Sequence, residues 1–409
     1  MSRVARQLMA GGVAASALLV TTACGPAAGP TSSEPATGIT VLDYYSDQQG
    51  SAAWQRILDT CAEQTGIDVQ RQTVPTDQML PKILKDASSR TLADLVFLDN
   101  PTLQQVASTG ALTPVTDYGI PTRGYYDSIL EAGTYEGEIY GLSPGVNNLA
   151  LFYNKEVFAE AGLEPPTTWE ELADAARELS GGDRYGLAFS AIPSEEGTWQ
   201  FLPFFWSNGA ELSALDSDAA VEALEFVVSL VESGGASESV VNWNQNDVAD
   251  QFVAGNAAMM VNGSWNLARL DEEGPEYGVV PVPVPEEGAE PVVALGGEVG
   301  VIPATGPGRQ ESAAKVLSCI LSEDNMLAWD AAHAYVPSRG SVGETFVERH
   351  PEMEPFVRQV ETARSRTAEL GEEYPAVSQG LARALQAALT GEQSPREALR
   401  QAQEQAGPR

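Results

Sequence analysis

The feature that most limits the fold is an alternation of short apolar runs with amphipathic helical stretches, which begins at Ile39, breaks near residue 147 and then starts again. Residues 39–42 read as a strand. Ser51 then opens a helix whose Trp54, Ile57, Leu58 and Cys61 recur at i, i+3, i+4 and i+7, the spacing of one helical face. Gly66 closes it, and residues 67–69 form a second strand. The stretch 79–87 is a helix interrupted by Pro81, and residues 95–98 are apolar throughout, as in a strand buried on both faces. Repeated strand–helix–strand units fold as an α/β lobe around a parallel sheet.

The alternation restarts with a strand at 149–153 and the capping box Thr168-Trp169-Glu170-Glu171, whose helix turns Leu172, Ala175, Ala176 and Leu179 inward. Helices at 216–232 and 247–254 lead to an apolar strand at 257–261. Residues 279–285 alternate Val with Pro, which places them at a sheet edge or in an extended connection. After a strand at 299–302, helices dominate to the end. With 409 residues, more than one core usually holds, the expected fold is α/β with two lobes and a helical C-terminal tail.

The amino terminus carries Arg3 and Arg6, an uncharged stretch over 7–23 and then Cys24, the charge layout of a signal peptide. That stretch is short for a membrane span of about 20 residues. Thr21-Thr22-Ala23-Cys24 resembles a bacterial lipobox, so residues 1–23 are expected to be removed and Cys24 to carry lipid. Residues 24–38 then form a lipidated flexible tether of Gly, Pro, Ala, Ser and Thr, and the folded body sits outside the cytoplasm, lipid-anchored at the cell membrane. With Cys24 acylated, Cys61 and Cys319 remain. Either they pair in an oxidising compartment or they are two small buried hydrophobes.

The formal charge of −34 opposes nucleic acid and anionic membrane surfaces as partners. Three cysteines without a Cys-x-x-Cys pair and two histidines leave no expected metal site or cofactor. His333 and His350 lie 17 positions apart and read as surface or helix-end residues. Neither a Gly-x-Ser-x-Gly elbow nor a phosphate or dinucleotide loop occurs, so no catalytic residue is expected. A hydrolase using two of the 57 carboxylates is the alternative, as is a clamp for a non-sugar solute. What stands out is aromatics and amides at strand ends: Tyr44 to Gln49, Asp99-Asn100, Asn147-Asn148, Thr198-Trp199-Gln200 and Asn262-Gly263-Ser264-Trp265. Strand ends of open α/β sheets face the crevice where ligands bind. Indole faces and paired amides suit the apolar face and the hydroxyls of a sugar. Trp54 and Trp169 read as helix packing, whereas Trp199 and Trp265 read as loop residues facing ligand.

Several motifs in order resemble the extracellular solute-binding proteins of bacterial ABC importers, in the carbohydrate-binding family that includes the maltose-binding protein. They are Gly66-Ile67-Asp68-Val69, Ala93-Asp94-Leu95-Val96-Phe97-Leu98, Leu151-Phe152-Tyr153-Asn154-Lys155, Pro166-Thr167-Thr168-Trp169, Phe252-Val253-Ala254-Gly255-Asn256-Ala257, Asn262-Gly263-Ser264-Trp265 and Val336-Pro337-Ser338-Arg339. The resemblance implies a two-lobe clamp crossed three times at a hinge, near 142–146, 294–298 and 336–341. One lobe would comprise 39–143 with 297–338, the other 144–296 with 339–409. It also implies a monomer that binds a carbohydrate, closes on it and presents it to the transmembrane subunits of an ABC permease. The ligand contacts it implies are Tyr45, Asp47, Gln48, Asp99, Asn100, Asn147, Trp199, Trp265, Gly296, Gly297, Glu298 and Arg339.

Overall fold

The computed structural model describes residues 34–45 and 48–406, without the side chains of Gln48, Gln49, Thr76 and Asp77. Cys24 and Asp47, the Gln48 side chain, the signal peptide and most of the tether lie outside the described residues. In chain order the first lobe is built from β1 (Gly38–Asp43), α1 (Gln48–Thr65), β2 (Asp68–Thr73), α2 (Thr76–Ser89), β3 (Leu95–Asp99), α3 (Leu103–Ala107), β4 (Leu112–Thr113), α4 (Asp127–Ala132), the hairpin β5 (Thr134–Tyr135) and β6 (Glu138–Ile139), and β7 (Gly141–Leu142). The chain then runs through β8 (Gly145–Val146) into the second lobe. Its elements are β9 (Leu149–Asn154), α5 (Lys155–Ala161), α6 (Trp169–Glu178), β10 (Tyr185–Ala188), α7 (Glu195–Ser207), α8 (Asp218–Glu232), α9 (Gln245–Val253), β11 (Ala257–Gly263), α10 (Leu267–Glu273) and β12 (Tyr277–Val280). It returns as β13 (Glu298–Pro303), α11 (Pro307–Ile320) and α12 (Glu323–His333). β14 (Val336–Pro337), α13 (Gly340–Arg349), α14 (Glu354–Val360), α15 (Tyr374–Leu389) and α16 (Pro395–Ala406) complete the fold.

The first sheet has the order β2-β1-β3-β13-β4, with β7 also on β13; the second has β10-β11-β9-β12. Neither is purely parallel. β1 runs parallel to β2 and β3, but β13 is antiparallel to β3, and β9 is antiparallel to both its neighbours. Both exceptions are strands entered from the other lobe, so no crossover helix within their own sheet sets their direction. The Val-Pro segment does begin at an edge, where β12 ends the second sheet and the prolines that follow need donate to no ladder.

Packing explains where the local signals hold. Trp54 is fully buried, edge-on to Phe97 at 4.6 Å and to Trp329 at 4.9 Å, so the inward face read from α1 is its packed face. The Thr168–Glu171 capping box forms as expected. Pro81 does not interrupt α2. Its missing hydrogen bond costs up to about 3 kcal/mol in a helix interior, and the burial of Met79 and Ile83 on either side opposes that loss. The tether also ends before residue 38, because the Ala36 N–H donates to Gly308 O at 3.1 Å, Ser312 Oγ donates to Ala36 O at 2.8 Å, and Gly38 already belongs to β1. A disulfide joins Cys61 on α1 to Cys319 on α11, with Cα atoms 5.7 Å apart. Such a cross-link typically contributes about 2–4 kcal/mol.

Three strand-like passages lie side by side between the sheets. β8 pairs antiparallel with β14, and Asn147 exchanges backbone hydrogen bonds with Gly296. On the first-lobe side α12 packs on α1, and on the second-lobe side α14 packs on β9. Among the described residues no helix is long and apolar enough to cross a membrane.

Candidate ligand-binding site

A cavity of about 690 Å³ opens between the lobes beside these passages. It shares the lining residues Tyr44, Asp99, Ser194 and Glu195 with a compartment of about 860 Å³, and Trp265 and Tyr335 with one of about 520 Å³. Each alone falls in the usual range for a small-molecule site, roughly 300–1,000 Å³.

The floor is built from the ends of β1, β3 and β13. At the end of β1, Arg71 forks the buried Asp43 carboxylate at 2.7 and 2.8 Å and also donates to Tyr45 O, which fixes the loop that follows. The two-residue period of the strand continues through it. Tyr45 falls in register with Ile39 and Val41 and is buried against Trp54 and Trp329, while Tyr44 falls in register with Leu42 and lines the cavity. Tyr45 is therefore a core residue rather than a cleft wall. Glu298, at the start of β13, accepts hydrogen bonds from the hydroxyls of Tyr44 at 2.6 Å, Tyr45 at 3.0 Å and Tyr335 at 3.4 Å. Burial, helped by the nearby Asp99, pushes its carboxyl up to about 7 against those donors.

The glycine loop before β13 is shaped by close approach. A Cβ on Gly296 would collide with the Asn147 amide and the Trp199 indole, and Gly297 holds φ at +103°, a conformation that favours glycine. Asn100 braces this loop from behind. Its Nδ2 donates to Leu295 O at 3.3 Å and Gly297 O at 3.0 Å, and its side chain is buried outside the cavity. Asp99, Asn147, Gly296, Gly297 and Glu298 all line the cavity.

The opposite wall comes from the second lobe. Trp199 does not sit in a loop: it is on α7, which begins at Glu195 and contains Pro203. The charge-free run that reads as a loop is a helix buried on every side from Gly197 to Trp206. Trp199 is only 7% exposed. Its Nε1 donates to Ala294 O at 3.2 Å, one neighbour is Trp265, stacked at 5.6 Å and 21°, and the Arg366 guanidinium lies 5.7 Å from its ring centre. Trp265, in a short turn after β11, keeps a half-buried ring on the cavity. Gln245 also lines it, with Nε2 buried and unpartnered among the described residues.

Arg339 is not at the cavity. The bonds Tyr126 N–H to Ser338 O and Gly340 N–H to Gly124 O tie its segment to the first lobe, and its guanidinium lies over the Tyr125 ring at 4.9 Å. The guanidinium that does line the site is Arg366. It is 3% exposed and donates to Asp99 at 2.9 Å and to Glu195 at 2.7 Å. Burial alone would lower its pKa, but the two carboxylates more than reverse that. Glu195 also accepts from Tyr374 at 2.6 Å and from Ser378. Beside it, Glu196 accepts the Gln245 N–H and the Ser190 hydroxyl, and burial raises its pKa. Tyr44 was findable from strand parity. Arg366, Glu195, Glu196 and Gln245 carry no motif, and only the fold gathers them.

A family model described as a bacterial extracellular solute-binding protein matches residues 56–355. The chain belongs to that family. Among its relatives, the solute-binding protein is 21% identical over 402 residues to the galactooligosaccharide-binding protein of Bacillus subtilis, covering 94% of this chain and 92% of that one. Its fold matches the crystal structure of the cyclic alpha-maltosyl-1,6-maltose binding protein of Arthrobacter globiformis with a TM-score of 0.79 and 28% identity, over 91% of this chain and 98% of that chain. It also matches UgpB of Mycobacterium tuberculosis in complex with glycerophosphocholine, with a TM-score of 0.78 and 22% identity, over 88% and 96% of the two chains.

Proposed function

We propose that this solute-binding protein captures an oligosaccharide between its lobes without altering it and delivers it to the transmembrane subunits of an ABC importer. The carrying observation is the composition of the cavity wall. A half-buried indole, Trp265, stands beside an amide donor, Gln245, that has no partner among the described residues, and carboxylate acceptors on both lobes. A sugar ring offers an apolar face to the first and hydroxyls to the others, and leaving Gln245 Nε2 unsatisfied costs about 1–3 kcal/mol. The names of the relatives, binders of galactooligosaccharide and of a maltosyl-maltose, support the same class. The halves of the clamp are 39–143 with 297–338 and 144–296 with 339–409, and the ligand contacts are Asp99, Asn147, Trp199, Trp265, Gly296, Gly297 and Glu298, joined by Tyr44, Gln245 and Arg366. Asp47, which follows β1 in the sequence, and Gln48, the first residue of α1, are further contacts in this reading. The protein acts as a monomer. No catalytic step is assigned, so the best ligand of a thermal-shift screen should be recovered uncut by chromatography after long incubation; cleavage at enzymatic rates refutes the carrier reading.

Trp265→Ala is expected to weaken binding about thirtyfold, about 2 kcal/mol, with little change in melting temperature, because the indole is half-exposed and its stacking energy exceeds simple area burial. Trp199→Ala should lower both affinity and stability, since that indole is buried between its neighbours and hydrogen-bonded. Calorimetric titration of both variants decides the point, and a Trp265→Ala protein that titrates like wild type refutes it. We assign the anchor to lipid on Cys24, so that Cys24→Ala protein should leave the membrane fraction; mature protein starting at another residue and lacking lipid contradicts this.

A further inference from the structure

The charge balance of the cleft deepens the carbohydrate reading, on which it rests, by naming the charge class of the sugar. Arg366 is the one cation among the described residues lining the central cavity. A guanidinium in a cleft is usually the group that receives a carboxylate or phosphate on its planar fork. Here both ends of the fork are engaged, Nη2 donating to Asp99 and Nη1 to Glu195, and Nε alone is buried without a partner among the described residues. The adjoining compartment repeats the arrangement, because its only guanidinium among the described residues, Arg269, is paired with Asp250 and Glu273. Among the described residues no lysine lines any of the three compartments.

Glu196 and Glu298 add two carboxyl groups to the central cavity, and their partners are a backbone N–H and hydroxyls rather than cations. Asp99, Glu196 and Glu298 all hold protons more tightly than an ordinary carboxylate, primarily through desolvation in the cleft, and each also through a neighbouring carboxylate. An anion entering this cleft meets a field of its own sign at low dielectric. A sugar hydroxyl instead donates to these acceptors and accepts from Gln245. The shared fold does not dictate this choice, since UgpB binds a phosphate-bearing ligand.

We propose that Arg366, by placing its fork on Asp99 and Glu195, makes the cleft select uncharged carbohydrate and reject sugar acids and sugar phosphates. The test titrates neutral gluco- and galacto-oligosaccharides of two to four rings against their C6-oxidised uronic acid counterparts by calorimetry. For the backbone that binds, the uronic acid should bind at least tenfold more weakly, with the gap narrowing as NaCl screens the field. Glu195→Gln and Asp99→Asn each release part of the fork, and in them the gap should shrink at least threefold. Uronic acids binding as tightly as their neutral counterparts overturn the inference, as does an unchanged gap in both variants when their melting curves show folded protein. If no glycan of either kind binds, the carbohydrate reading itself falls and this inference with it.

Discussion

Arg366→Ala is expected to lower the unfolding free energy by about 3 kcal/mol and to leave the ligand-free protein more open. Removing one member of a buried ion pair costs about 3–5 kcal/mol, because the partner keeps its charge without compensation. The lower end applies here, since the Asp99 and Glu195 side chains are 35% and 36% exposed and water can partly replace the guanidinium. The geometric effect follows from where the partners sit. Asp99 ends β3 of the first lobe and Glu195 begins α7 of the second, so one buried side chain ties the two lobes together across the cleft. A melting temperature lower by roughly 5 °C and a larger radius of gyration in small-angle scattering without ligand are the expected readouts. Arg366→Lys should fall between, because an ammonium keeps the charge but cannot fork both carboxylates. An alanine variant that melts and scatters like wild type removes the clasp from the account.

Glu298→Gln is expected to flatten the pH dependence of stability between about pH 4.5 and 7.5. The folded carboxyl is raised to about 7, against about 4.3 in an unfolded chain. The folded state therefore binds this proton more tightly, and its contribution is fully present below the unfolded value. That contribution is lost as pH rises through 7, amounting to about 4 kcal/mol for a shift of this size. Glutamine stays neutral and can still accept one of the tyrosine hydroxyls through its amide oxygen, so the variant should gain on wild type as pH rises. The difference between the two denaturation series isolates this group from the other carboxylates. Parallel curves for the two proteins across that range would show that Glu298 is not the titrating residue.

The parts of the molecule legible in the sequence share one property: their signals are local. Helical spacing of Trp54, Ile57, Leu58 and Cys61, the Thr168–Glu171 box and the apolar run in β3 are read within a few residues, and each forms as read. Strand ends, glycines under close approach and an indole after an apolar strand are local too, so Asp99, Asn147, Gly296, Gly297, Glu298 and Trp265 were marked and do line one cavity. What only the tertiary structure decided is long-range. Strand direction in β9 and β13 depends on which lobe the chain arrives from. Trp199 looked like a loop residue because a helix buried on all sides carries no amphipathic period. Arg339 carries the motif and is turned away by backbone bonds to residues 124 and 126, while Arg366 carries none and holds the cleft. Its partners Asp99 and Glu195 stand 267 and 171 positions away along the chain. Periodicity along a chain reports which face of an element is apolar; it holds no record of which distant charges will meet when two lobes come together, and that meeting set the electrostatics of this site.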